Sequence, residues 1–209
     1  MTEAQTKERP ILFSGPMAKA ILDGRKSQTR RLVKGCVEEA GAYSTAVWEH
    51  GKMPRCPYGT AGERLWVREA WRGSWDGDLS ISVNYRADDT VRDFYVDALP
   101  ESSVRPCSLE WKWRPSIYMP RWASRILLEI TGVRVERLQD ISEEDCWAEG
   151  IEEVDGAFDS LIPDMARRIG MSHEDAKPTF ACLWESINGN GSWNLNPWVW
   201  CVSFRRIGK

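Results

Sequence analysis

The chain reads as an α+β domain built on a small β-barrel, with helices at its mouth and inserted loops. Three observations predict this. Short runs of strand length and β character are spread from residue 11 to residue 207. One amphipathic helix pattern stands near the start, and further helical patterns precede the last strand. No internal repeat or low-complexity tract interrupts them, and 209 residues suit one domain spanning 1–209.

Each element has its own justification. Ile11-Leu12-Phe13 is a short apolar run that reads as a strand. Gly15-Pro16 opens a helix, because proline fits the first turn, where its missing N–H leaves no bond unmade. Met17, Ala20 and Ile21 fall on one helical face, and Gly24 stands where a left-handed cap ends the helix. Residues 35–62 are rich in glycine, alanine, proline and small polar residues, and read as a first insertion. Arg64 to Glu69 and Ile81 to Tyr85 are strand patterns. Residues 86–115 are mixed and read as a second insertion. Arg125 to Leu138 is β-branched but split by Thr131-Gly132, so it is either a bent strand or a hairpin. Ser142-Glu143-Glu144-Asp145 opens a helix that should reach Gly150. Phe158 to Arg168 and His173 to Ile187 are further helices, and Trp198 to Ile207 alternates as a closing strand.

Composition narrows the classes. With 42% hydrophobic and 28% charged residues, collagen-like, disordered and membrane-embedded chains drop out. No run of about 18 apolar residues occurs, so no membrane span is expected. Met1 to Pro10 lacks the apolar stretch of a signal peptide, so a cytoplasmic location is expected. A net charge of −3 hides an uneven layout. Residues 1–34 carry eight basic and three acidic side chains, and residues 105–137 carry seven and three. Residues 138–185 carry three basic and thirteen acidic. A positive face that admits nucleic acid or a phosphorylated ligand is compatible with that layout, and so are plain solvated surfaces.

The six cysteines form no CxxC pair, and read as reduced and mostly buried. Cys36, His50, Cys56 and Cys107 could supply zinc ligands, but their spacing matches no zinc-finger pattern, so no metal and no other cofactor is expected. Two histidines are too few to favour a cysteine–histidine enzyme, and His173 reads as a helix-cap or surface residue.

Several motifs occur in a telling order. Gly24-Arg25-Lys26-Ser27-Gln28-Thr29-Arg30-Arg31 has the form G-x-K-x-x-T-x-R after an amphipathic helix. Gly62-Glu63-Arg64-Leu65-Trp66-Val67 enters a strand. Ile130 to Leu138 leads to a helix ending in Ala148-Glu149-Gly150, and Trp198 to Arg206 closes the chain. Together they resemble the ASCH domain, a PUA-like β-barrel. The stretch Arg114 to Arg125 is similar to the longer ASCH proteins of phages and prophages. The resemblance implies a protein that recognises a nucleobase or nucleoside in a cleft. Small bacterial members hydrolyse the acyl amide of N4-acetylcytidine with a lysine, a threonine and a glutamate. By motif these roles fall on Lys26, Thr29 and Glu149. The implied partner is a nucleoside, RNA or DNA, which leaves a non-catalytic binding module and a single-strand nuclease as alternatives. Oligomeric state is not legible.

The chemistry sets conditions. The Thr29 hydroxyl could attack an acyl carbon only with a base beside it. Lys26 could share a face with Thr29 if the segment turns, and works as a base only when neutral. Its pKa must therefore fall, by desolvation or by the nearby charges of Arg25, Arg30 and Arg31. A carboxylate close to Lys26 pushes the other way, so Glu149 either orients the amine or, if protonated, serves the leaving nitrogen. The other reading of Lys26 and Thr29 is a surface basic loop.

The 12 tryptophans outnumber phenylalanine and tyrosine together, at 5 each, and they divide by position. Trp66, Trp147, Trp184, Trp198 and Trp200 lie in strands or helices and read as core. Trp71, Trp75, Trp111, Trp113 and Trp122 are interleaved with basic residues. Base stacking with phosphate contact uses that combination. The residues singled out for base binding are Arg25, Arg30, Arg31, Arg68, Trp71, Trp113, Arg114 and Arg121.

Overall fold

The computed structural model describes residues 6–33, 55–75, 80–95, 111–154 and 156–208. The first strand β1 (Glu8–Leu12) leads into helix α1 (Gly15–Leu22) and strand β2 (Gln28–Leu32). Strands β3 (Arg64–Arg68), β4 (Trp71–Trp75), β5 (Ser80–Tyr85) and β6 (Val91–Tyr95) follow. Then come β7 (Leu127–Arg137), α2 (Glu143–Ala148), α3 (Ile162–Ile169), α4 (Ala176–Asn188) and β8 (Trp198–Ile207). Among the described residues the fold is a mixed α+β arrangement of two sheets and four α-helices. None of these helices is long and apolar enough to cross a membrane.

The larger sheet has the order β1-β3-β7-β8-β2, with β1 and β3 parallel and the other neighbours antiparallel. Strand β7 is one continuous strand, and the turn signal at Thr131-Gly132 becomes a shift of register between Ile130 and Gly132. An extra residue on one strand bends it without ending the ladder. Among the described residues no ladder joins β1 to β2, so a closed barrel is not formed by strand pairing. One side chain crosses that gap: Arg31 Nη2 of β2 donates to the Leu12 carbonyl of β1 at 2.6 Å.

The smaller sheet is the meander β4-β5-β6. Neither β4 nor β6 stands out in the sequence, and β6 falls within the segment read as an insertion. Its residues Val91, Arg92 and Asp93 are exposed, so no hydrophobic alternation marks it. A second, small core of Trp71, Ile81, Val83, Tyr85, Met119 and Ala123 lies under this sheet. Arg125 ties the two sheets together. It holds Glu69 in a bidentate pair at 2.8 and 2.9 Å, bonds Asp88 at 2.8 Å, and lies 4.0 Å from the Tyr85 ring centroid.

Most of the expected boundaries shift by a few residues. The Ser142 hydroxyl accepts from the Asp145 amide at 3.2 Å and starts α2 as its pattern predicts. Helix α3 begins at Ile162 rather than Phe158, with Pro163 in its first turn. Residues 34–54, which hold most of the first insertion, lie outside the described residues.

Candidate functional site

The segment after α1 is a strand, not a surface loop. Gly24, with φ at +79°, ends the helix and turns the chain. The Lys26 amide then bonds the Ala20 carbonyl at 3.1 Å. Ser27 is held from both sides. Its amide donates to Ala148 and its carbonyl accepts from Phe204, at 2.9 and 2.8 Å. From Gln28 onward the backbone pairs with β8, Thr29 opposite Val202 and Arg30 opposite Cys201. Side chains therefore alternate: Gln28 and Arg30 take one face, Thr29 and Arg31 the other.

Lys26 and Glu149 meet although 123 residues separate them. Their backbones form an isolated bridge, and Lys26 Nζ donates to both the Glu149 carbonyl and Oε2 at 2.7 Å. Both residues are only 4% exposed. Gly150 makes this approach possible. Its φ is +76°, and a Cβ there would stand 2.9 Å from the Lys26 Cβ and 3.0 Å from the Ala20 Cβ. The Ala-Glu-Gly ending of α2 is thus a packing requirement as well as a motif.

Burial pushes the Lys26 ammonium below its ordinary pKa of 10.5. The Glu149 carboxylate works against this, and the charges of Arg31 and Arg30 add to it. Of the three arginines expected to lower the lysine, these two contribute. Arg25 instead pairs with Asp23 at 2.5 Å and Glu152 at 3.8 Å.

Arg30 is the hub of the site. Its side chain is fully buried and bonds three carboxylates: Glu136 at 2.5 and 2.8 Å, Asp145 at 2.7 Å and Glu149 Oε1 at 3.1 Å. Arg134 pairs with the same Glu136 at 2.7 Å and with Asp145. Burial disfavours the Arg30 charge, but Glu149 and Glu136 outweigh it and hold its pKa above the ordinary value. Lys26, Arg30 and Arg134 thus face the carboxyl groups of Glu136, Asp145 and Glu149. Arg30 and Arg134 flank Cys201 in one row across β2, β8 and β7, and burial pushes that thiol up to about 12. The ligand atoms of Glu136, Asp145 and Cys201 lie within 4.8 Å of one another. The cations at this cluster are guanidinium groups.

Thr29 is buried, and its hydroxyl makes no hydrogen bond among the described residues. Phe13 lies between Arg31, the strand neighbour of Thr29, and Lys26 in ring contacts. Arg31, on the Thr29 face, lies 5.2 Å from the Phe13 ring centroid, and Lys26 Nζ lies 5.7 Å from the same centroid. The structure thus brings Lys26 and Glu149 together and, among the described residues, leaves the Thr29 hydroxyl without a hydrogen bond. A cleft of about 380 Å³ opens elsewhere. It is lined by residues that include Trp147, Ile162, His173, Glu174 and Asp175, and by neither Lys26 nor Thr29.

Several of the residues singled out for base binding are buried or already paired. Arg30 spends four donors on carboxylates inside the protein and the fifth on the Gln28 side-chain oxygen at 3.5 Å, so none is left for a base. Trp71 is 2% exposed and belongs to the second core, so its ring offers no face to a ligand. Arg121 pairs with Glu8 at 2.9 Å, and Arg68 bonds the Met119 carbonyl at 2.9 Å; both lie near the Trp66 ring. Arg114 lies 5.5 Å from the Trp71 ring centroid, and the half-buried Trp113 stands between Arg72 and Arg86. Trp147, expected in the core, is exposed. Of the residues weighed as zinc ligands, Cys36, His50 and Cys107 lie outside the described residues.

Sequence reasoning missed Glu136, Asp145 and Arg134 as parts of the site. They meet Arg30 through cross-strand register and through the docking of α2. The only available signal was the capping Asp145 on a helix already placed beside Glu149.

No family model matches the chain, and no curated protein matches it significantly. Two solved structures are similar to it over most of its length. One is a protein from Enterococcus faecalis V583 under the family model DUF984, at 12% identity, covering 95% of this chain and 80% of that one, with a TM-score of 0.37. The other is an ASCH domain from Lactobacillus crispatus JV V101, at 12% identity, covering 91% and 69%, with a TM-score of 0.30. Alignments this loose fix neither fold nor function for this chain.

Proposed function

We propose that the protein recognises a nucleoside at the Lys26–Glu149 site and hydrolyses the acyl amide of an N4-acylated cytidine there. The observation that carries this reading is the buried Lys26–Glu149 pair, with Lys26 depressed by burial and the Thr29 hydroxyl unengaged on the adjoining strand. In this reading β1 and β2 are the facing lips of a PUA-like barrel, bridged by Arg31. Thr29 attacks the acyl carbon, neutral Lys26 takes the hydroxyl proton, and the protonated amine returns it to the leaving cytosine nitrogen. Glu149 orients Lys26 and is itself held by Arg30. Water then releases the acyl group from Thr29.

A second reading is favoured by one observation. Both Glu149 oxygens are already taken, by Lys26 and by Arg30, which suits a structural clasp in a non-catalytic nucleic-acid module. Thr29→Ala separates the two. With purified protein and N4-acetylcytidine, followed by chromatography, the catalytic reading expects cytidine release by wild type and its loss in Thr29→Ala. Equal release by both proteins would overturn the role of Thr29, and no release by wild type would leave the binding module standing.

A further inference from the structure

We infer that the outer face of the smaller sheet is a docking platform for single-stranded nucleic acid, separate from the Lys26 site. Side chains of β4 and β5 alternate, so burying Trp71 and Tyr85 on the inner face puts Arg72 on the outer one, and Arg86 follows β5 directly in the turn. The chain returns beside β4 at Arg114, whose backbone pairs with Trp71 at 2.7 and 3.2 Å. That register sets Trp113 against Arg72.

The result is a ladder of planes. The Arg72 guanidinium lies between two indoles, 4.4 Å from the Trp111 centroid and 4.6 Å from that of Trp113. Arg86 lies 5.8 Å from the Trp113 centroid. Trp111 is 46% exposed, so the ladder ends in an indole with surface to offer a stacking base.

Among the described residues, none of Arg72, Arg86 and Arg114 is paired with a carboxylate. Nearby, Glu69 and Asp88 are engaged by Arg125, and Asp93 accepts from the Ser82 hydroxyl. Arg72 Nε is buried without a partner, which leaves its terminal nitrogens as the donors for a phosphate. Beside Arg72 in the register stands Asn84, 4% exposed, whose Oδ1 also has no partner.

Guanidinium groups without carboxylates suit any anion, but alternation with flat indoles distinguishes the occupant. Bases stack on such rings, and successive phosphates supply the charge. An acidic polypeptide has the charge and no planes to stack. A duplex keeps its bases paired and stacked inside, away from an indole.

The test uses fluorescence anisotropy of the full chain with a labelled deoxythymidine strand of about 12 nucleotides, within the span such platforms cover. Wild type is expected to bind in a salt-sensitive way and to prefer the strand to a duplex of equal length. Trp111→Ala and Arg72→Gln should each weaken binding by about 5- to 100-fold, while Trp147→Ala, at an exposed indole outside this sheet, should leave it unchanged. Trp111 is exposed, so its variant stays informative even if Arg72→Gln folds poorly. Absence of binding, unchanged binding in Trp111→Ala, equal affinity for the duplex, or preference for polyglutamate would each overturn the proposal. Turnover of a free nucleoside is read in a separate assay, so failure of one reading is distinguishable from failure of the other.

Discussion

Gly150 shows how closely single residues are constrained at the site. A side chain there would need a left-handed backbone and would strike the Lys26 Cβ at 2.9 Å. Gly150→Ala should therefore cost about 1–3 kcal/mol in urea unfolding and displace Lys26 from Glu149. An unchanged unfolding midpoint would show that the approach is looser than described. Lys26 gives a kinetic counterpart. Burial lowers its pKa from 10.5, so the fraction of neutral amine rises with pH below that value. Nucleoside turnover should climb with pH along one protonic limb and then level off. A rate that falls across the same range would rule out Lys26 as the base. At this scale the sequence was informative: G-x-K-x-x-T picked out a lysine that is buried against the expected glutamate. It could not foresee that the segment is extended, which sends Thr29 and Arg30 to opposite faces of β2.

At the scale of elements, β2, β7, β8 and α2 are locked by the Arg30 network. Removing a buried cation leaves its carboxylates uncompensated, so Arg30→Met should destabilise the fold by about 3–5 kcal/mol. The loss should be visible as a lower urea midpoint. A loss under about 1 kcal/mol, the range of exposed pairs, would mean that solvent reaches the cluster. Most elements were legible because their signals are local. Pro16, the Ser142 cap and the alternation of Trp198 to Ile207 each act within a few residues. Strands β4 and β6 were not legible, because β4 packs on a separate small core and the side chains of β6 are largely exposed. The Arg30–Cys201–Arg134 row depends on the pairing of three strands distant in sequence, which no local pattern encodes.

For the whole molecule, paired carboxylates set the response to acid. Burial raises the Asp145 pKa, but the Arg30 hydrogen bond and the charges of Arg30 and Arg134 outweigh it and hold it below 3.8. Asp88 is likewise held below 3.8, where burial is outweighed by hydrogen bonds from Arg125 and Thr90. As pH falls the unfolded chain takes up these protons first, so the stability they contribute is present above 3.8 and lost below it. Glu69 acts in the opposite sense. Burial raises it above 4.5 despite Arg125, so its contribution is present below 4.5 and lost as pH rises through its folded value. The Tm should therefore fall as pH drops below 3.8, where only the aspartates lose their contribution, and Asp145→Asn should flatten that slope. A Tm independent of pH over this window would contradict the network.

The central claim is that the Lys26–Glu149 pair is a nucleoside site and not only an internal clasp. Its most direct test is steady-state hydrolysis of N4-acetylcytidine by wild type and by Lys26→Met, each first shown to be folded by circular dichroism. The account predicts saturable release of cytidine by wild type and a loss of at least about 100-fold in Lys26→Met, the contribution expected of a general base. Equal rates in the two proteins, or no release by wild type at any substrate concentration, would contradict it.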